Sequence, residues 1–223
     1  YVLPDLPPAN YDVWVRGYGL VDSAKVKSAP GRALNLSAVV APNAKAAAEY
    51  YPANYWYSLL EPPHASEFPG KGIRSNGLPE GLRTQGAWIG NIKMTNACTQ
   101  CHQMGTKATR EISPALGTFK SSLEAWDTRV QVGISGAFMD STFGPLGRQR
   151  SLRVFADWTD RIAKGELPPA PPRPQGIERN LVVSEWEWAD AKTFVHDEIS
   201  TSRQHPTLNA NGPLYAVQEL SGD

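Results

Sequence analysis

The chain has 223 residues, 41% of them hydrophobic, which is enough for one or two domains with a packed core. Its 22 lysine and arginine residues balance 22 aspartate and glutamate residues, so net charge attracts neither nucleic acid nor an anionic membrane. No apolar run approaches the roughly 18 residues of a membrane span, and no signal segment opens the chain, so we expect a processed or excised chain without a membrane span.

Two stretches near the start alternate apolar and polar residues, as half-buried strands do. They cover residues 11–16 and 34–40. The string over residues 3–15 resembles the closing strands of carboxypeptidase-regulatory-like β-sandwiches, in which a leucine–proline turn precedes a tyrosine-led strand. Because a sandwich needs about seven strands, residues 1–45 are expected to form an incomplete sandwich-like segment. Residues 46–81 are expected to be a connecting segment.

Residues 98–102 read Cys-Thr-Gln-Cys-His and follow a short helix predicted over residues 84–97. In this pattern two thiols add to the vinyl groups of a haem and the histidine binds the iron. Residues three apart on one helical turn point to the same side, so Cys98 and Cys101 can meet one porphyrin edge while His102 reaches its face.

A C-x-x-C pair has two other uses. A thioredoxin-like redox dithiol is expected in a βαβ context, and a zinc site needs two further ligands at matching spacing. The chain has no second C-x-x-C, and its other histidines, His64, His196 and His205, are scattered. The pattern therefore favours haem over zinc or a dithiol.

Two further helices are predicted after the motif. Over residues 121–133 a serine and a glutamate have capping-box spacing, and Leu123, Trp126 and Val130 follow at helical intervals. The last helix, over residues 147–164, places four apolar residues on one face and ends at a glycine; these residues are Leu152, Phe155, Trp158 and Ile162.

In the order and type of these elements, residues 82–168 resemble the class I-like monohaem cytochromes c, in which three or four helices surround one haem. The resemblance implies an α+β chain: a mainly helical cytochrome c fold, with a sandwich-like segment before it and an extended, partly β tail after it. It implies one covalent haem c with an iron centre. Such attachment occurs outside the bacterial cytoplasm, so we expect a periplasmic or extracellular protein.

The resemblance also implies a methionine ligand on the loop before the last helix, a place that Met139 occupies. Small residues precede it and would let its thioether turn toward the iron. Met104 lies too close to His102 to cross the porphyrin plane, and Met94 lies on the helix before the motif. The alternatives are that Met139 fills a gap in the core, or that the second ligand is one of His64, His196 and His205.

Three more residues have predicted roles around the haem. In the family a proline-containing loop accepts the ring N–H of the ligating histidine through a backbone carbonyl, and Pro114, in the loop over residues 103–119, matches that position. Arg110 and Arg129 are candidates to pair with the haem propionates, because guanidinium matches carboxylate geometry. The alternatives are a proline that only forms a turn and arginines that face water.

Residues 169–223 are predicted to be a proline-rich spacer followed by an extended or β tail, with a strand over residues 181–188. This ending resembles the entry to a β-propeller in multidomain secreted bacterial proteins. Trp186 and Trp188 alternate with glutamates there, and we favour a buried core position for them over a docking surface.

The sequence therefore predicts an electron-carrying module, or a subunit of an oxidoreductase, that exchanges electrons with donor and acceptor proteins and belongs to a larger complex or chain. Filled axial positions would leave no site for substrate, so we do not expect the chain to be an enzyme by itself. Two alternatives stay open. One is a haem enzyme or a gas or peroxide sensor with an open sixth position, and the other is a structural or carbohydrate-binding module.

Overall fold

The computed structural model describes residues 8–93, 97–173, 175–176, 195–199, 204–205 and 215–218. Helices and small antiparallel sheets both occur in this part of the chain, so the predicted α+β class is confirmed. The described residues form two compact units, one containing residues 8–51 and the other containing residues 52–93 and 97–168. The predicted strand over residues 181–188 lies outside the described residues.

The first unit contains two pairs of short strands and one short helix. Its elements are β1 (Tyr11–Val13), β2 (Leu20–Val21), β3 (Val26–Ser28), β4 (Val39–Val40) and α1 (Ala44–Ala48). β1 pairs antiparallel with β3, and β2 pairs antiparallel with β4.

The first predicted strand does form, as β1, but it ends at Val13. The second was predicted too long: residues 34–38 are not in a strand, and only β4 pairs. Both β4 side chains are exposed, Val40 at 77%. Alternation stabilises a strand only where one face is buried, and no such burial accompanies it here.

Arg16, which precedes β2, is hydrogen-bonded to Asp22, which follows it. Its guanidinium donates from Nε to one carboxylate oxygen of Asp22 at 2.8 Å and from Nη2 to the other at 2.9 Å. The same guanidinium lies 5.6 Å from the ring centroid of Trp14 and 5.4 Å from that of Tyr50. The hydrogen bonds from Arg16 hold the pKa of Asp22 below its usual value.

The second unit is helical. Its helices are α2 (Ala53–Tyr57), α3 (Gln85–Lys93), α4 (Cys98–Cys101), α5 (Lys107–Arg110), α6 (Ser122–Arg129), α7 (Gly136–Phe143) and α8 (Arg148–Ala163), with 3₁₀ turns at Ala65–Glu67 and Pro114–Leu116. Two further strands, β5 (Val195–Ile199) and β6 (Tyr215–Gln218), pair with each other.

Helix α8 is the centre of the second unit. Leu152, Phe155 and Trp158, which the sequence places on one face, are all at most 1% exposed. Helix α6 packs against it and is capped at its N-terminus by Ser121, whose hydroxyl accepts from the Glu124 N–H at 3.2 Å. The predicted capping box is only half formed, because the Glu124 carboxylate accepts from the N–H of Lys120 rather than from that of Ser121.

Helix α3 is buried through Trp88 and Ile92, both 0% exposed. The Trp88 indole N–H donates to the Leu146 carbonyl and to the Ser151 hydroxyl, each at 3.1 Å. A buried indole needs such partners, because an unpaired buried donor costs about 1–3 kcal/mol. These hydrogen bonds join the helix before the motif to the start of α8.

Residues 52–81, predicted to be a connecting segment, contribute to the core of the second unit. Trp56 on α2 is 3% exposed and Leu78 is 0% exposed. The carbonyl of Trp56 accepts from the Trp158 indole at 3.0 Å. Two turns of this unit approach each other closely, since a Cβ on Gly147, whose φ is +80°, would overlap the Gly77 carbonyl oxygen.

Candidate functional site

The Cys-Thr-Gln-Cys-His motif forms one helical turn. Ala97 is extended and precedes α4, and His102 ends the turn by donating its backbone N–H to the Cys98 carbonyl at 3.0 Å. Positions three apart on such a turn lie on the same side, as covalent attachment to one porphyrin edge requires. The Cys98 side chain is half-buried.

Beside this turn lies a largely apolar cavity of about 600 Å³, part of which is open to solvent. The cavity brings together four residues predicted for the site: Cys98, His102, Arg129 and Met139. Its other walls are Ala97, Met104, Thr109, Trp126, Val130, Ser135, Phe138, Thr142, Phe143 and Phe155.

His102 is half-buried, and its Nδ1 atom is completely buried. When histidine binds a metal, the ring nitrogen that does not bind the metal usually faces the protein. Burial of Nδ1 therefore suits a histidine whose Nε2 binds the iron. The apolar walls, the cysteine turn and this histidine together fit a haem.

Met139 lines the cavity from a helix rather than from the predicted loop. Its N–H donates to the Ser135 carbonyl at 2.9 Å, and its carbonyl accepts from the Thr142 hydroxyl at 2.7 Å. Residues at intervals of three and four share one helical face, so Met139, Thr142 and Phe143 all reach the cavity. The glycines before Met139 suggested a loop, but a tight turn there starts α7 directly at Gly136.

Arg129 is the cationic residue among the cavity walls. Its Nη1 donates to the carbonyls of Thr109 and Glu111, both at 3.2 Å, and its guanidinium lies 4.7 Å from the Trp126 ring centroid. Burial lowers the pKa of Arg129 to about 10, so the side chain stays protonated at neutral pH. A held cation beside an apolar cavity is suited to the carboxylate of a ligand.

Arg110 and Pro114 are not among the cavity walls. Arg110 is 4% exposed and stacks on Trp56, with its guanidinium carbon 4.0 Å from the ring centroid. Pro114 is exposed, and its carbonyl accepts from the Gly117 N–H at 3.1 Å. Their proposed contacts with a propionate and with His102 stay predictions.

Among the other candidate ligands, Met104 also lines the cavity and is 7% exposed. His64 instead caps the 3₁₀ turn at Ala65–Glu67, where its Nδ1 accepts from the Ser66 N–H at 3.2 Å. His205 is exposed and is not a cavity wall. Met94 and the side chain of His196 lie outside the described part of the structure.

Tyr57 is a neighbour of the motif that sequence reasoning did not find, because it lies in the predicted connecting segment. Burial, with a contribution from the nearby Cys98 thiol, raises the pKa of the Tyr57 phenol to about 12. The side chain also packs edge-on against Trp158, with ring centroids 6.5 Å apart. The five-residue helix α2 has no apolar periodicity that would have indicated this placement.

Within the described ranges, no three histidine, cysteine, aspartate or glutamate side chains are grouped so that they could hold a metal ion. These residues therefore offer no set of ligands that would support the zinc interpretation of the motif. Over the same ranges, no helix is both long and apolar enough to cross a membrane.

Comparison with known protein families, with curated proteins and with solved structures finds no match to this chain.

Proposed function

We propose that this chain transfers single electrons through one covalently bound c-type haem. The observation that carries the proposal is that Cys98, His102 and Met139 line one largely apolar cavity. A helical turn at the first of these residues gives the motif the form needed for attachment. The cytochrome c fold of residues 82–168 is part of the same proposal.

Cys98 and Cys101 would hold the haem through thioether bonds, His102 and Met139 would be the axial ligands, and Arg129 would pair with a propionate. When bound, the haem supplies a one-electron couple between ferric and ferrous iron. A thioether is a poorer donor to ferric iron than imidazole, so this ligand pair favours a comparatively high reduction potential.

The cavity walls suit electron transfer because they exclude water. Trp126, Phe143 and Phe155 are buried and belong to the hydrophobic core of the second unit. An apolar shell limits solvent access and thereby tunes the potential. Phe138, another wall, is 41% exposed, so the cavity reaches the surface on that side, where electrons can be exchanged with a partner.

We place the chain in a periplasmic or secreted bacterial redox system, as a module or subunit that docks transiently with donor and acceptor proteins. Support for this location comes from the attachment motif, since thioether-linked haem is assembled outside the bacterial cytoplasm. The balanced charge of 22 basic and 22 acidic residues gives no support for a nucleic-acid partner.

The test is an absorption spectrum of the ferric and ferrous protein, produced in a bacterial periplasm with haem-attachment machinery. We expect a thioether-linked haem that survives denaturation, a long-wavelength methionine–ferric iron band, and no response to carbon monoxide. The double variant Cys98→Ala/Cys101→Ala should lose the covalent haem. A wild-type protein without haem would refute the proposal.

A second candidate is a haem enzyme or a gas or peroxide sensor with an open sixth position. The observation that favours it is the presence of a hydroxyl side chain, that of Ser135, among the walls near Met139. Hydroxyls in a distal pocket can donate to a bound diatomic ligand. Rapid binding of carbon monoxide to the ferrous protein would move this candidate to first place.

A further inference from the structure

The segment that follows His102 is held by a buried arginine. Arg110 donates from Nη1 to the Gly105 carbonyl at 2.9 Å, and its guanidinium stacks on the Trp56 ring at 4.0 Å. The two stacked residues, Trp56 and Arg110, are 3% and 4% exposed.

Gly105 brings this segment into contact with α2. Its φ is +99°, and a Cβ at this position would overlap the Ala53 carbonyl oxygen. Its N–H donates to the Thr109 hydroxyl at 2.8 Å. Both polar groups of the Gly105 backbone are thus fixed, the N–H by Thr109 and the carbonyl by Arg110, while α2 lies directly against its Cα.

The other side of the segment faces the cavity. Arg129, a cavity wall, donates to the carbonyls of Thr109 and Glu111. His102 and Met104, also walls, lie just before Gly105 in the chain. Residues 105–111 are therefore held by Trp56 and α2 on one side and by Arg129 on the other, and they are continuous with the residues that face the cofactor.

We infer that Arg110, stacked on Trp56 and bonded to the Gly105 carbonyl, is a positioning residue that fixes the orientation of the axial ligand His102. The inference rests on the proposed function. It gives α2, which lies before the cytochrome-like residues 82–168, a part in the haem site. It also gives Arg110 a role different from pairing with a propionate.

The geometry explains why an arginine is needed. A guanidinium is planar, so it can lie flat on an indole while an edge N–H reaches a carbonyl, whereas the ammonium of lysine cannot do both. Loosening this contact would free Gly105 and let water reach the histidine side of the haem. Because water stabilises the ferric charge, the reduction potential would fall.

The experiment compares the haem-loaded wild-type protein with Arg110→Met, Arg110→Lys, Trp56→Leu and Trp56→Phe. The readouts are haem content, the midpoint potential, and the paramagnetic NMR shifts of the haem methyl groups, whose order follows the orientation of the axial histidine ring. The matched control is Arg150→Met, which removes a half-buried arginine of the same unit that pairs with Glu67 at 2.8 Å.

We expect Arg110→Met, Arg110→Lys and Trp56→Leu to lower the potential, so that the ferric-to-ferrous ratio at the wild-type midpoint rises at least threefold, equivalent to about 28 mV at 59 mV per tenfold. The methyl shifts should change with it. Trp56→Phe keeps an aromatic face and should stay near the wild type, as should Arg150→Met.

Wild-type potential and methyl shifts in Arg110→Met would overturn the inference while leaving the proposed function intact. Wild-type behaviour of Arg110→Lys would also overturn it, because charge alone would then suffice. If Arg110→Met does not fold, the comparison of Trp56→Leu with Trp56→Phe decides, and equal potentials and shifts in that pair refute the inference. A wild-type protein that binds no haem refutes the proposed function and the inference together.

Discussion

The ring of Phe155 packs against the indole of Trp126 with centroids 5.0 Å apart and an interplanar angle of 44°, and both residues line the cavity. The Trp126 N–H donates to the Thr159 hydroxyl at 3.1 Å, so the indole is held from α8 as well. The cavity wall is therefore also the contact between α6 and α8. Changes made to this wall for the sake of the site will change stability.

Phe155→Ala should lower the free energy of unfolding by about 3–5 kcal/mol, because it removes a side chain that is 1% exposed and leaves a cavity. Chemical denaturation followed by tryptophan fluorescence measures the loss. Ile134→Ala is the control, since Ile134 is 82% exposed and its replacement should stay within about 0.5 kcal/mol. Equal effects of the two substitutions would contradict the assigned core.

Met139→Leu should abolish the methionine–ferric iron band and open the iron to carbon monoxide, while leaving the covalent haem attached. The matched control is Met104→Leu, which replaces the other methionine of the cavity walls and should keep the band. Leucine and methionine have similar volumes, so changed packing should lower the free energy of unfolding by less than about 1.5 kcal/mol in either variant. Loss of the band in Met104→Leu alone would exchange the assigned roles of the two methionines.

The stability of the haem-free protein should fall as pH rises from about 10 to about 12. Tyr57 has a pKa of about 12 in the folded chain against 10 in the unfolded chain, so the unfolded state loses this proton first and is favoured in that interval. Two pKa units correspond to at most about 3 kcal/mol. The difference in unfolding free energy between the wild type and Tyr57→Phe should be constant below pH 10, and it should change above pH 10 as the wild type loses stability.

Replacing Cys98 tests the second cause of that shift. At high pH the negative Cys98 thiolate opposes ionisation of the Tyr57 phenol, and this charge is absent in Cys98→Ser. The pKa of Tyr57 should then lie closer to 10, with only burial raising it. Absorbance titration of the tyrosines would detect the change. An unchanged high-pH transition in Cys98→Ser would show that the thiol does not act on Tyr57.

Gly147→Ala should destabilise the protein more than Gly133→Ala. Both glycines have φ of +80°, but a Cβ on Gly147 would overlap the Gly77 carbonyl oxygen, whereas a Cβ on Gly133 meets open space. Gly133→Ala therefore carries only the left-handed strain of about 1–2 kcal/mol. Thermal unfolding should show a larger loss for Gly147→Ala, and equal losses would refute the close approach to Gly77.

The sequence was most informative where a long periodic helix meets a core. Leu152, Phe155 and Trp158 repeat at helical spacing over sixteen residues of α8, and all three are buried. Helices α2 and α5 have only five and four residues, too few for a periodic pattern, and tertiary contacts form them. Helix α7 was missed because glycine is a poor helix former and suggested a loop.

For the candidate site, local sequence indicated the cysteine turn and His102, because their spacing has a chemical reason. It did not indicate the aromatic walls as site residues, since periodicity shows that Trp126 and Phe155 are buried but not that they border a cavity. Tyr57 and Trp56 were missed for another reason. Tyr57 interacts with Cys98, and Trp56 stacks with Arg110, although these partners are distant in the sequence, and spacing cannot show such contacts.

The helical position of Met139 has a kinetic consequence. A ligand on a flexible loop can leave the iron when the loop moves. Met139 instead lies inside α7, where its N–H donates to the Ser135 carbonyl and its own carbonyl accepts from the Thr142 hydroxyl. Its backbone is therefore fixed, so its side chain can leave by rotation about its own bonds, and larger movements require α7 to open. If Met139 is the axial ligand that we propose, substitutions that loosen α7 should speed its replacement by an added ligand such as cyanide, although they do not touch the iron.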